Sequence, residues 1–310
     1  YKIFRCPLYV PKNPNGIKRI LHLMTFSVTS FPVLLKHLTW NPDLIILIAP
    51  TLFCCPNVII FRLLSFKKVF TILHIQDFEL EAAFNLRILN NKYLKSFASK
   101  VEKFFLKSFH KVGAISKSME KNLHNKGIAK NKTFYFPNWV DLENLKKKTN
   151  KDKYINKYRK KLQISPEKII IQYSGSMNKK QGFNFLCPII EHFKNNNNII
   201  WLFGGDGPSK KDFINATKEI PNIKFLPLQN FSELSEWLNT GDIHIIPQNE
   251  EVEDLLFPSK LISILGSGNP IVSNANRKTE LGKIVDKAGI RVDPKDQLGF
   301  INALDYLIKN

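Results

Sequence analysis

The sequence predicts an α/β protein built as two doubly wound, parallel-sheet domains. Three observations predict it. At 310 residues the chain exceeds one ordinary domain. Its second half alternates short apolar runs with helix-length segments, the pattern of a parallel sheet crossed over by helices. Glycine-bearing loops follow several of those runs, and open α/β sheets bind ligands beyond the carboxyl ends of their strands. A hydrophobic content of 44% is ordinary for a globular chain, so a sizeable core is available.

The first half, residues 1–150, reads as one domain. Ile17 to Leu38 contains an uncharged run of 16 residues between Arg19 and Lys36, interrupted by Pro32. That is too short to span a bilayer. Core packing and an interfacial helix are both open for it, and for Cys54 to Phe66, with packing the better expectation. Leu44 to Ala49 is continuously apolar, as a buried parallel strand should be. Val69 to Leu73 is a second strand, with His74, Gln76 and Asp77 just past its end. His74 is either a site residue there or a locally satisfied turn histidine. Asn85 to His110 has helical apolar spacing, with Lys92, Lys95, Lys100, Lys103 and Lys107 on its other side. That face reads either as solvated or as a contact for lipid headgroups. Lys111 to Ile115 and Thr133 to Phe136 are further strands, with Ser116 capping a helix between them. The Lys-rich stretch Asn144 to Lys161 reads as a linker and a solvated helix.

The second half, residues 151–310, gives strands at Lys168–Tyr173, Ile199–Phe203, Ile223–Phe225, Ile243–Ile246, Ile271–Val272 and Ile290–Val292. Helices are expected between them, and a last one from Asp296. Three loops then gather at one sheet edge: Gly175 to Gly182, Gly204 to Gly207, and Glu253 to Ser259. In the second loop Asp206 reads as structural. The third leads into Pro258-Ser259-Lys260, where Ser259 is expected to cap a short helix ended by Gly266 and Gly268. A helix N-terminus with a lysine beside it suits a diphosphate.

The net charge is +20, of which residues 1–150 carry +16 and residues 151–310 carry +4. A basic first half fits an anionic membrane surface, a nucleic acid or a phosphorylated substrate, but the Lys- and Asn-rich composition alone would also produce it. No helix-turn-helix or RNA-binding aromatic signature accompanies the charge, so nucleic acid is not expected. Cys54 and Cys55 are adjacent, Cys6 and Cys187 isolated, and none has metal-ligand spacing. They read as free thiols in a reducing compartment. No signal peptide pattern opens the chain, which starts at Tyr1.

The runs IQYSGSMNKKQGF, WLFGGDGP, DLLFPSKLISILGSGNPIV and KTELG, with RCPLYVPKNP, PTLFCCP, LHIQDFE, AISKSM and FPNWVD before them, resemble glycosyltransferase family 4. Within it they are most similar to the colanic-acid branch, and the resemblance covers nearly the whole chain. It implies a GT-B fold, with acceptor on the first domain and nucleotide sugar on the second. It implies a retaining sugar transfer with no metal and no cofactor beyond a GDP- or UDP-linked donor substrate, GDP-fucose being the first guess. The acceptor would be a lipid-diphosphate-linked saccharide or another saccharide, and the protein cytoplasmic and peripheral on the inner membrane face.

The resemblance implies that Lys180 and backbone around Gly175, Gly205, Ser259 and Lys260 hold the diphosphate. Glu280 would lie near the ribose or sugar, and His74 would face the donor sugar. The family's paired glutamates fall on Leu255 and Ser263, so Asp254 or Glu253 is expected to replace the first. Its phosphate-binding arginine falls on Ser176. Segments before Tyr1 and after Asn310 are expected in a whole member of the branch. The alternatives are a sugar-nucleotide epimerase of the same fold, which needs acid/base carboxylates, and an inactive remnant.

Overall fold

A computed structural model describes residues 2–11, 16–49, 52–78, 92–145, 156–249 and 259–310. These residues form two compact units that part between Pro137 and Asn138. The expected boundary at residue 150 lies outside the described residues.

In the first unit the strands are β1 (Leu44–Ala49), β2 (Phe70–Ile75), β3 (Lys111–Ala114) and β4 (Thr133–Tyr135), all parallel in the order β1-β2-β3-β4. The helices are α1 (Gly16–Leu35), α2 (Cys55–Leu64), α3 (Lys92–Ser108) and α4 (Lys117–Asn125). Leu73, Ile75, Val112 and Ala114 from the central strands are buried against Leu106 and Phe109 at the end of α3 and Met119 and Leu123 of α4. Ser116 caps α4 as the sequence predicts, its hydroxyl accepting from Met119 N at 3.1 Å. The apolar run at Ile17 is helix α1, tied to its neighbours by Ser27 Oγ donating to Phe53 O and Asn57 Nδ2 donating to Ser27 O. Its Met24 and Val28 stay exposed.

One expectation fails here. Leu44 to Ala49 does form a strand, but β1 is an edge strand and not a buried one. Leu44, Ile46 and Ile48 are 45%, 50% and 58% exposed. An apolar run fixes the extended backbone and the pairing with β2; only a neighbour on each face makes such a strand interior.

The second unit holds six parallel strands in the order β10-β9-β8-β5-β6-β7. They are β5 (Ile169–Ser174), β6 (Ile199–Gly204), β7 (Ile223–Leu226), β8 (Ile243–Ile245), β9 (Ile271–Ser273) and β10 (Ile290–Arg291). The helices are α5 (Lys157–Lys161), α6 (Leu186–His192), α7 (Lys210–Ala216), α8 (Leu234–Leu238), α9 (Lys260–Ser267), α10 (Glu280–Ala288) and α11 (Gln297–Lys309). Every residue of β6 is buried, and Trp201 and Phe203 join Tyr173, Phe183, Phe213 and Phe300 in one aromatic-rich core. Aromatic rings supply large buried area per residue, which stabilises a unit of this size.

The Lys-rich stretch is also different from its expected solvated helix. In α5, Tyr158 and Arg159 are buried, and the Arg159 guanidinium donates to the Asp242 carboxylate and to the carbonyls of Ser165 and Lys168. Asp242 also accepts from Ile170 N at 2.9 Å. This ion pair fastens the start of the unit to the amino end of β5 and β8.

Candidate functional site

Because all six strands of the second unit are parallel, their carboxyl ends lie on one edge. Chain order runs outward from β5 in both directions: to β6 and β7 on one side, to β8, β9 and β10 on the other. The loops after β5 and β8 therefore part company at a topological switch point, the place where open α/β sheets take ligands.

Backbone hydrogen bonds hold these loops together. Gly175 N donates to Gly204 O at 2.9 Å, and Met177 N to Asp206 O at 2.8 Å. Asn249 N donates to Lys180 O at 2.9 Å, joining the loop after β8 to the turn at Lys179–Gln181. That turn is closed by a capping box between Asn178 and Gln181. Glycine is required at the crossing. Gly205 has φ +148°, and a Cβ there would sit 1.9 Å from the Gly175 carbonyl oxygen. At Gly207, φ is +152° and a Cβ would sit 2.2 Å from Met177 O. These positive-φ, zero-side-chain positions let the loops after β5 and β6 touch backbone to backbone. Asp206 is exposed, and its carboxylate accepts from Gly207 N, which agrees with its structural reading.

Lys260 opens α9 and reaches back over β5. Its Nζ lies 3.8 Å from the centroid of the Tyr173 ring, and its Cδ 3.7 Å from where a Gly175 Cβ would be. The ammonium nitrogen is buried and has no hydrogen-bond partner. Burial pushes its pKa down to about 7. A cation above an aromatic face gains some stabilisation, but less than full hydration gives.

The remaining predicted residues fall as follows. Ser259 is exposed and takes helical angles itself, φ −54° and ψ −30°, with no side-chain cap bond. The expected cap therefore does not form, because a capping hydroxyl reaches the first-turn amides only from an extended backbone. Nor does Gly266 end the helix, which runs on to Ser267 and closes with Gly268 in the left-handed region at φ +74°. Glu280 is half-buried in the first turn of α10, after the Thr279 cap and at the same sheet edge. Asp254 and Glu253 lie outside the described residues. His74 belongs to the first unit. It lies within β2 and not beyond it, 5% exposed, with Phe136 at a ring separation of 5.1 Å. Its Nδ1 has no partner, and burial lowers its pKa, so the ring is neutral near pH 7.

Two contributors had no signal in the sequence. Tyr173 forms the floor under Lys260, with its hydroxyl donating to Ser176 O at 2.6 Å. Asn249 ties the two loops of the switch point, its backbone bond to Lys180 O joined by a side-chain bond to Lys179 O at 3.2 Å. Among the described residues no cluster of three or more His, Cys, Asp or Glu could hold a metal ion. No described helix is long and apolar enough to cross a membrane.

Two parallel α/β sheets, the second with a glycine-crossed switch point, define a protein of GT-B fold, and solved structures agree. Sucrose-phosphate synthase from Thermosynechococcus elongatus superposes with a TM-score of 0.73 at 15% identity, over 97% of this chain and 71% of that one. Anabaena HepE in complex with UDP and glucose superposes with a TM-score of 0.69 at 15% identity, over 90% of this chain and 72% of that one. In sequence, the family described as Glycosyl transferases group 1 matches residues 168–310. The colanic acid biosynthesis glycosyl transferase WcaI of Escherichia coli (strain K12) is 34% identical over 288 residues, 92% of this chain and 70% of that protein. The chain belongs to glycosyltransferase family 4, in the branch of that colanic-acid enzyme.

Proposed function

We propose that this glycosyltransferase moves a sugar, with retention and without a bound metal, from a nucleotide sugar to a lipid-linked or other saccharide acceptor of a surface polysaccharide. The observation that carries the donor half is the gathering of Gly175, Gly205 and Lys260 at the switch point of the second sheet. The N-terminus of α9, the lysines Lys179, Lys180 and Lys260, and the bare backbone at Gly175 and Gly205 suit the diphosphate of a donor. Catalysis in such a site is positioning plus neutralisation of the departing diphosphate, which needs no protein nucleophile fixed in advance. In this proposal Glu280, on the same edge, serves the ribose or sugar, Asp254 stands in for the first of the family's paired glutamates, and His74 is the histidine that meets the donor sugar.

Peripheral attachment to the inner face of the cell membrane is supported by the first unit. Tyr93, Phe97 and Phe104 fall on one stripe of α3, 89%, 67% and 62% exposed, turned away from buried Glu102 and Leu106. Lys100, Lys103 and Lys107 flank that stripe and are exposed. Aromatic rings between lysines match the headgroup level of an anionic leaflet.

A thermal-shift panel of UDP-, GDP- and dTDP-sugars tests the donor half. One nucleotide class is expected to raise the transition, and the shift should shrink in Lys180→Ala and Lys260→Ala. Equal response of both variants and the parent protein rejects this site.

A further inference from the structure

Lys260 presents a problem that the fold alone does not solve. Its nitrogen is buried without a hydrogen-bond partner, whereas a side chain four methylenes long ordinarily carries its charge out to water. Among the described residues, the face of Tyr173 and the bare backbone of Gly175 lie against it. A buried donor without a partner is costly, and native proteins retain few of them.

We propose that Lys260 takes up a proton when the diphosphate of a nucleotide sugar enters the switch point, so that donor binding is coupled to proton uptake from solution. The proposal rests on the donor-site reading above and goes beyond it, since a permanently charged lysine would bind a diphosphate with no proton exchanged.

The surroundings favour this. Against Lys260 from β5 stands Tyr173, whose phenol is hydrogen-bonded to Ser176 O and held neutral by burial, well above the usual tyrosine range. On the loop after β6, the Asp206 carboxylate accepts from Gly207 N, and the Lys210 ammonium donates to Gly205 O at 2.8 Å. Lys179 and Lys180 lie on the turn after β5. Within α9 itself, Leu261 to Ser267 carry no charge. Burial is the cause of the lowered pKa of about 7, and among the described residues no charged neighbour adds to it. In the absence of donor, Lys260 is therefore a partly neutral amine near pH 7. A diphosphate brings the counter-charge and acceptor oxygens that the ammonium lacks, which restores the charged form.

Calorimetric titration with UDP-glucose and with GDP-fucose, in buffers of different ionisation enthalpy, measures the coupling. These sugar diphosphates have no phosphate ionisation of their own near neutrality, so uptake reports on the protein. With a free pKa near 7, binding should take up about 0.5 proton at pH 7 and about 0.9 at pH 8. The affinity should weaken about tenfold per pH unit above pH 7 to 8. In Lys260→Met, checked for folding by its thermal transition, uptake should vanish and the residual affinity should become independent of pH. Lys180→Ala should bind more weakly yet keep the uptake. Binding by the parent protein with no net uptake at pH 8 overturns the proposal even if Lys260→Met does not fold. So does uptake that survives in a folded Lys260→Met. If neither sugar nucleotide binds at any pH, the donor-site reading itself fails and the proposal falls with it.

Discussion

Strands β1 and β6 look alike on paper and differ in place. LIILIA and IIWLFG are both six-residue apolar runs, and both form parallel strands. In β6 every residue is buried, while alternate residues of β1 are half exposed. Sheet order explains the contrast. β6 lies between β5 and β7 with helices packed over it, whereas among the described residues β1 pairs with β2 alone and one of its faces is left open. Hydropathy thus selects the strand, and position in the sheet sets what the strand contributes to stability.

The largest effect is expected for Phe203→Ala in β6, which removes a ring touching Tyr173, Phe213 and Phe225. Denaturant unfolding should show a loss of about 3–5 kcal/mol. Ile46→Ala in β1, half exposed, should lose less than about 1 kcal/mol in the same assay. Similar losses at both sites would show that β1 is covered in solution. Arg159→Leu should cost nearly as much as the β6 change, about 3–5 kcal/mol, because it removes the buried guanidinium that faces the Asp242 carboxylate. The double variant Arg159→Leu/Asp242→Leu should recover part of that loss. Failure to recover would assign the cost to packing.

A smaller effect separates the two units by pH. The Lys260 pKa is depressed in the folded protein, so the unfolded chain binds the extra proton between about pH 7 and the ordinary lysine value of 10.5. Stability should therefore rise with pH across that window, and the penalty is fully present below it. Lys260→Met should abolish the rise and stabilise the ligand-free protein below pH 7 by an amount on the order of a few kcal/mol. A parallel pH dependence in protein and variant would mean that the ammonium is hydrated after all. The smallest change is expected for Phe97→Ala/Phe104→Ala on α3, exposed residues whose loss should alter stability by less than about 0.5 kcal/mol. That variant should nevertheless bind anionic vesicles more weakly than the parent protein. Unchanged vesicle binding would remove α3 from the membrane reading.

The residues themselves show where sequence reasoning stops. The second-unit strands were legible because apolar runs and polar helix faces alternate with fixed periods. Gly205 and Gly207 were legible as a turn, since glycine after a strand marks a special backbone. Their mutual approach to Gly175 and Met177 was not, because it depends on two strands lying side by side. Ser259 carried the composition of a cap and did not become one, since its own backbone angles are helical. The Arg159–Asp242 pair joins positions 83 apart, and nothing local in a Lys-rich stretch announces which cation will be buried.

The sequence alone determined the two-sheet α/β class, the order of its strands and helices, and membership in a glycosyltransferase family, because these follow from local periodicity and from motifs that are contiguous in the chain. Tertiary structure decided which apolar strand is interior, which cap forms, and that Lys260 lies over Tyr173 without a hydrogen-bond partner. Burial and the charge state that follows from it depend on the neighbours a residue meets in space, and those neighbours come from distant parts of the chain.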